Sequence, residues 1–316
     1  MTVPAQAGAT AQEQQHVYRR GISGRTRAGI AALLAAWLLL LHAVVLRAET
    51  TPLHGLLWEV SKPGTAASHL FGTIHSEDPE VLQLGDPVQA AFDVAHSLVL
   101  EVLLDIDAML YSSGAMLLLD GRSLDGIVGT DLFNQASRAT SSRGIPEVVL
   151  QRMKPWAVAV TLSMPQPETG QVLDMVLYQA ALQANKPVHG LESVHEQLDV
   201  FDTLSESSQI MLLQDALENF PRIDALHTEL LQAYKRRDLG ALMAINDASL
   251  DTGDRQLADE LRRRLIRDRN RLMVERMQPY LEQGRAFVAV GALHLPGADG
   301  LLQLLQQHGY SVRLVY

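Results

Sequence analysis

Two segments from opposite ends of the chain each finish an apolar run with a glycine and place a histidine three residues later. They are Leu70–His75 (LFGTIH) and Phe287–His294 (FVAVGALH). An aromatic and β-branched run that ends in glycine is typical of a buried strand followed by a tight turn. Open α/β sheets bind their ligands just beyond the carboxyl ends of such strands. The repeated G-x-x-H pattern therefore predicts that His75 and His294 lie where a sheet presents a functional site.

The composition of the 316-residue chain is that of a globular protein and excludes several kinds of site. Hydrophobic residues make up 47% and charged residues 20%, which is enough to bury a full core. The absence of cysteine excludes thiolate metal sites, cysteine nucleophiles and disulfides. Residues 1–48 hold five basic residues and one acidic residue, so 21 basic and 35 acidic residues remain, a net charge of −14. This negative charge argues against nucleic acid and anionic lipid surfaces as partners.

An apolar segment near the N-terminus predicts export. Residues 1–27 are polar and then basic, as in a disordered tail. Residues 28–48 are predicted to form a hydrophobic helix, whose apolar run before Arg47 is interrupted only by His42. The apolar stretch from Ala28 to Leu46 is just long enough to span a bilayer at about 1.5 Å per residue. The arginines before it should stay in the cytoplasm, which places the body on the periplasmic side, anchored in the inner membrane or released. Because Leu46 is not a small residue, a cleaved signal peptide and a retained signal anchor both remain open.

Residues 49–316 are predicted to form a single α/β domain that alternates strands and helices. The strand-like segments are 56–61, 69–73, 97–104, 186–191, 285–291 and 310–316, and the first two should pair as a hairpin around Lys62–Thr65. Helical patterns cover residues 86–95, 105–185 (broken by glycines and prolines), 197–219, 223–235, 239–248, 254–282 and 300–308, with Gly309 as a C-terminal cap. The predicted fold class is α/β: a central mixed β-sheet with flanking helices and a large helical insert, preceded by the membrane-targeting helix.

Two acids lie in or at the end of strand-like runs. Glu101 interrupts the apolar run Val99–Leu103, and Glu192 ends the short run Val188–Glu192. An unpaired buried carboxylate costs several kcal/mol, so Glu101 needs a cation, a metal ion or a hydrogen-bond network. A purely structural arginine partner is the alternative for Glu101, and an ordinary helix N-terminal acid is the alternative for Glu192.

The two histidines and the two acids suggest a metal site. His75, Glu101, Glu192 and His294 form a donor set suited to a divalent ion such as Mn²⁺, Co²⁺ or Zn²⁺. Arg269 and Asn270, within the long C-terminal helical segment, are candidates to orient a ligand or substrate, although a solvated charged face explains them equally well. The chain contains no H-E-x-x-H, P-loop, G-x-S-x-G or G-x-G-x-x-G motif.

Taken in order along residues 54–316, the motifs of the chain resemble those of the TraB/GumN family. This family includes the Tiki metalloproteases and is thought to share a fold with erythromycin-esterase-like enzymes. The residues that carry the resemblance are Leu57–Val60, His69–His75, Glu101, Arg152–Trp156, Gly190–Glu192, Glu196–Gln197, Arg269–Asn270 and Val290–Gly297. The resemblance implies that His75, Glu101, Glu192 and His294 match the family's presumed metal and catalytic positions. It also implies a peptidase that cuts near the N-terminus of secreted substrates, as Tiki-like members do, whereas most bacterial GumN-like members lack an assigned reaction.

Two hypotheses of different classes follow. In the first, the chain is a divalent-metal-dependent hydrolase acting on a peptide or another small substrate outside the cytoplasm. Glu101 or Glu192 would be the general base, and Arg269 or Asn270 would stabilise the oxyanion. In the second, the same pocket belongs to a non-catalytic binding protein that serves export or surface polysaccharide pathways. Binding alone gives no reason for two acids and two histidines at strand ends, which favours the hydrolase.

Overall fold

A mixed six-stranded sheet forms the centre of the described chain. The computed structural model describes residue 2 and residues 53–103, 106–250 and 254–316. The strands run in the order β4-β3-β5-β2-β1-β6. Their bounds are Leu57–Ser61 (β1), Ser68–Thr73 (β2), Ser97–Val102 (β3), Val188–Glu192 (β4), Ala286–Gly291 (β5) and Ser311–Leu314 (β6). The predicted α/β class and mixed sheet are confirmed.

Four adjacent strands are parallel, and this gives the sheet one functional edge. β4, β3, β5 and β2 pair in parallel, whereas β1 runs antiparallel to both β2 and β6. The β1–β2 hairpin turns at Gly64, whose φ of +85° suits a residue without a side chain. Because parallel strands all end on the same side, the chain segments that follow β2, β3, β4 and β5 meet at one edge.

All helices of the described residues lie between β2 and β6 along the chain. They are Pro79–Leu82 (α1), Asp86–Val94 (α2), Ile106–Ala115 (α3), Leu124–Val128 (α4), Thr130–Ser141 (α5), Glu147–Leu150 (α6), Pro155–Ser163 (α7), Leu173–Gln183 (α8), Val194–Asp202 (α9), Glu206–Asn219 (α10), Ile223–Lys235 (α11), Leu239–Leu250 (α12), Arg255–Arg262 (α13), Arg269–Gln283 (α14) and Leu301–Gln307 (α15). Helices α3 to α8 lie between β3 and β4, where the helical insert was predicted. Gly309 follows α15 with a φ of +82°, as expected of a left-handed cap.

The structure corrects two helix predictions. The helix expected over 197–219 is two helices, because Ser205 begins α10 by accepting from the Ser208 N–H. The first of them, α9, begins at a capping box formed by Ser193 and Glu196. The helix expected over 254–282 is continuous but widens to a π-helix over Arg263–Asp268. The π-helical segment ends immediately before Arg269 and Asn270, which fits the tendency of π-helical turns to occur at functional sites.

Two large packed cores and a small third cluster around Leu257 and Leu261 support the fold. One covers both faces of the sheet, with β5 buried along almost its whole length, and the other joins the insert to α10 around Trp156. Lys154 precedes α7, and both Lys154 Nζ and Trp156 Nε1 donate to Asp202 Oδ1, which ties the start of α7 to the end of α9. The predicted tail (1–27, apart from residue 2) and hydrophobic helix (28–48) lie outside the described residues. Within the described residues, no helix has both the length and the apolar content that a membrane span requires.

Candidate functional site at the carboxyl edge of the sheet

Glu101 lies near the carboxyl end of β3 and is held against the end of β5. The backbone N–H of Gly291 donates to Glu101 Oε1. A Cβ at position 291 would lie 3.2 Å from that oxygen, so glycine allows the carboxylate to approach the backbone. Burial alone would raise the pKa of Glu101, but the Arg269 guanidinium and the Gly291 N–H hold that pKa below its ordinary value. Glu101 is therefore ionised at neutral pH.

Arg269 joins the two predicted acids. Its Nη2 lies 2.8 Å from Glu101 Oε2 and 2.7 Å from Glu192 Oε2, and its Nε lies 3.0 Å from Glu192 Oε1. The Gln197 amide donates to the same two carboxylates, at 3.4 and 3.2 Å. The Glu192 side chain is only 1% exposed and that of Arg269 15%. The arginine partner proposed as the structural alternative for Glu101 thus exists, and it serves both acids.

Asn270 fixes the position of the His294 ring. Its Nδ2 donates to the backbone carbonyls of His294 (3.2 Å) and Asp299 (2.7 Å), so Oδ1 must face His294 Nδ1, at 2.6 Å. Nδ1 therefore carries the hydrogen. Both Asn270 donor hydrogens are engaged with backbone carbonyls, so the structure gives this residue a positioning role instead of a direct contact with an oxyanion.

The remaining nitrogen of His294 faces an acid. Nε2 lies 3.5 Å from Glu101 Oε1. Burial lowers the pKa of His294 in spite of Glu101, so the ring is neutral and Nε2 presents a lone pair. A lone pair and a carboxylate oxygen that face each other repel unless a proton or a cation lies between them. Metal-binding histidines commonly donate their other N–H to a fixed acceptor, as His294 does to Asn270. The donor chemistry of Glu101 and His294 therefore fits a divalent cation.

His75 follows β2 and is fixed in a similar way. Its Nδ1 lies 3.0 Å from Asp174 Oδ2, and Thr73 Oγ1 donates to the other Asp174 oxygen at 3.0 Å. A carboxylate only accepts, so His75 Nδ1 carries a hydrogen and Nε2 is left to face the site. The hydrogen bond with Asp174 raises the pKa of His75. The side chain is 61% exposed.

In the metal-free protein, we expect a titration of His75 to show a pKa above that of an ordinary histidine. Because the folded pKa is raised, the contribution to stability is fully present below the unfolded pKa and is lost as pH rises through the folded value. Asp174→Asn should lower the pKa of His75, and two-dimensional NMR of the imidazole protons measures both values. The exposed His308, whose Nδ1 lies 2.9 Å from the Leu304 carbonyl oxygen, is followed in the same spectra as a histidine that Asp174→Asn does not touch. An unchanged His75 pKa in Asp174→Asn would contradict the assignment.

A cavity of about 460 Å³ opens at this edge of the sheet. His75, Glu101, Arg269 and His294 line it together, whereas Glu192 does not. Within residues 53–103, 106–250 and 254–316, no group of three or more carboxylate and imidazole side chains is placed to hold one ion. The structure therefore brings three of the four predicted ligands to one cavity and only Glu101 and His294 into close proximity. The fourth, Glu192, has both oxygens on Arg269.

Several residues of this site had no signal in the sequence. Asp174 reaches the sheet edge from helix α8 of the insert, and no motif pointed to it. Gln197 of α9 belongs to the Glu196–Gln197 pair that carries the family resemblance, but the sequence assigned it no role. The Gly291 N–H was also missed, although glycine in the G-x-x-H pattern was noted. A buried acid that needs a donor, next to a strand that ends in glycine, is the pattern that points to this contact.

A comparison with family models decides the relationship of the chain. Residues 56–314 match the model described as the TraB/PrgY/gumN family. The chain belongs to this family. The expected resemblance is thus confirmed over nearly the whole described region, and the carboxyl edge of the sheet lies within the matched residues. No solved structure matches the chain.

Individual relatives are distant. Metalloprotease TIKI2 of Danio rerio is 25% identical over 314 residues, a match that covers 82% of this chain and 61% of that protein. Metalloprotease TIKI1 of Homo sapiens is 24% identical over 320 residues, covering 84% of this chain and 63% of that protein. Uncharacterized protein YbaP of Escherichia coli (strain K12) is 26% identical over 256 residues, covering 78% and 91%. The chain therefore spans about three fifths of the Tiki proteins and nearly all of YbaP.

Proposed function

We propose that the chain is a divalent-metal-dependent hydrolase of the peptidase type. The observation that carries this proposal is the lone pair of His294 Nε2, which faces the ionised Glu101 at 3.5 Å inside a lined cavity. The metalloprotease names of the Tiki relatives support it. Glu101, His294 and His75 would hold a Mn²⁺, Co²⁺ or Zn²⁺ ion, since imidazole and carboxylate donors suit these ions.

Different residues of the site would supply different parts of the hydrolysis reaction. A divalent ion, when bound, would polarise the scissile carbonyl and lower the pKa of a water molecule. Glu101 is the acid that faces the cavity, so it is placed to accept the proton of an attacking water. Arg269 also lines the cavity and can donate to a developing oxyanion. Glu192 orients Arg269, and Asn270 orients His294.

The test is turnover of a diverse peptide library by the full-length protein with Mn²⁺, Co²⁺ or Zn²⁺, with and without chelator. We expect cleavage that the chelator removes and that His294→Ala abolishes. His308→Ala, at an exposed histidine on the end of α15, should leave cleavage unchanged. Activity that survives both chelator and His294→Ala would reject the proposal. Ligand retention without any turnover would favour a non-catalytic binding protein.

We also propose that the body acts outside the cytoplasm. The arginine-flanked apolar segment at 28–46 supports this location. In a bacterial host, we expect external protease to digest the body in spheroplasts but not in intact cells, while a cytoplasmic marker survives in both. A body that survives in spheroplasts together with the marker would contradict the proposal. Recovery in the periplasmic fraction would identify a cleaved signal, and recovery in the membrane fraction a retained anchor.

A further inference from the structure

The cavity at the carboxyl edge of the sheet has two chemically different walls. The first wall carries the side chains described above, among them Glu101, Arg269 and His294. The second wall is aliphatic and comes from the helices that cover the edge and from the loop after β5. Its central members are Leu226, Leu230, Leu242, Leu265, Ile266 and Leu293. A pocket of this size, mostly apolar with a few convergent polar groups, is typical of a site for an organic ligand.

Two of these apolar side chains lie outside the packed hydrophobic clusters of the described residues. Leu226 and Ile266 are half-buried and line the cavity. Among the described residues, the packed hydrophobic clusters include Leu230, Leu242, Leu265 and Leu293 but neither Leu226 nor Ile266. Apolar surface that lies inside a concave site and is not covered by the protein itself is suited to cover a ligand.

The aliphatic wall also restricts which ligands fit. Its aliphatic members offer no partner to a charged group, and a charged group moved from water to such a surface loses its hydration without gaining one. Besides them, the same helices bring two uncharged or weakly basic polar side chains to the lining, those of His227 and Asn246. At the other wall an acidic group would meet the ionised Glu101, and the cation there, Arg269, already pairs with Glu101 and Glu192. Moving an uncharged aliphatic or aromatic group from water to this wall is favourable. Such a group has no charge to lose hydration and none to be repelled by Glu101.

We propose that this wall binds an uncharged aliphatic or aromatic side chain of a peptide, beside the bond presented to Glu101 and His294. The inference rests on the proposed peptidase function and adds the class of substrate. Leu226 and Ile266 are the residues that determine specificity. They line the same cavity as the polar residues, so one extended peptide can contact both walls.

The test measures binding without turnover. Short N-acetylated peptide amides that differ at one position (Leu, Phe, Asp or Lys) are titrated into the full-length protein in the presence of chelator. We expect the Leu and Phe peptides to bind at least tenfold more tightly than the Asp and Lys peptides. Leu226→Asp should remove this preference, and Leu226→Met should retain it. Ala225→Asp, at the exposed neighbouring position of the same helix, adds the same charge outside the cavity and should leave the preference unchanged.

The outcomes separate this inference from the proposed function. Equal binding of the four peptides, no binding of any peptide, or a preference unchanged in Leu226→Asp would overturn the inference. A preference that Leu226→Asp removes would support the inference even if added metal ions never produced cleavage, and in that case only the hydrolase proposal would fail. Metal-dependent cleavage with no preference for apolar residues would support the hydrolase proposal and overturn the inference about the aliphatic wall.

Discussion

Glu101→Gln should reduce peptide hydrolysis by about 10² to 10⁴-fold, the range attributed to a positioned acid or base. The amide has nearly the volume of the carboxylate but no charge, so it can neither accept a proton nor attract a cation. Glu101 accepts from the Gly291 N–H with one oxygen and from Arg269 with the other. The glutamine amide has only one oxygen, so its NH₂ group would face one of these two donors. Hydrolysis rate and bound metal per protein chain, measured on the same preparation, check the prediction.

Glu196→Gln is the matched control for this substitution. Glu196 pairs with Arg276 at 2.6 Å, and this bond together with the Ser193 contacts lowers the pKa of Glu196 to about 2. It does not line the cavity. We expect its rate and metal content to remain at the wild-type level. If Glu101→Gln and Glu196→Gln retained equal activity, Glu101 would have no role in the reaction.

Arg269→Met should lower the free energy of unfolding by about 3–5 kcal/mol, the usual cost of removing one partner from a buried ion pair. The substitution leaves Glu192 charged and 1% exposed, with Gln197 as a neutral donor. Adding Glu192→Gln to the variant should restore part of the loss, because one unpaired charge is then removed. The pKa of Glu101, which Arg269 helps to lower, should rise without the guanidinium, so the loss should shrink as pH falls. Urea unfolding at several pH values measures these differences.

Arg271→Met separates the effect of burial from that of charge alone. Arg271 is 61% exposed, and its nearest acid, Asp299, lies 3.6 Å away. Exposed ion pairs contribute about 0–1 kcal/mol, so this variant should unfold almost as the wild type does. A loss in Arg269→Met no larger than that in Arg271→Met would mean that Arg269 does not compensate the two acids.

The sequence predicted the sheet edge better than the contacts that complete it. Glycine after a buried run placed His75 and His294 beyond strand ends because local sequence decides where a strand stops. The unpaired charge of Glu101 predicted a cation, and Arg269 lies there at 2.8 Å. The partner of His75 could not be predicted, since Asp174 comes from a helix 99 residues away and no local pattern records such a contact.

Spacing within the long C-terminal helix was also beyond prediction. The sequence points to Arg269 and Asn270, but a solvated charged face explains them equally well. The pattern over 254–282 predicts a regular α-helix throughout. The π-helical turns change which residues share a face. Asn270 is fully buried in the structure, which a charged segment such as Arg267–Arg271 does not suggest.

The wide turns of Arg263–Asp268 change the angle around the helix axis at which Arg269 and the residues after it lie, compared with a regular α-helix. In a regular α-helix, each residue advances about 100° around the axis. Deleting one residue from the wide segment would therefore swing Arg269 away from the acid pair and Asn270 away from the His294 ring in a single step. The contacts of Arg269 with the two acids and of Asn270 with the imidazole therefore depend on the length of this segment. A change of that length would disable the site although every one of its side chains remained in the sequence.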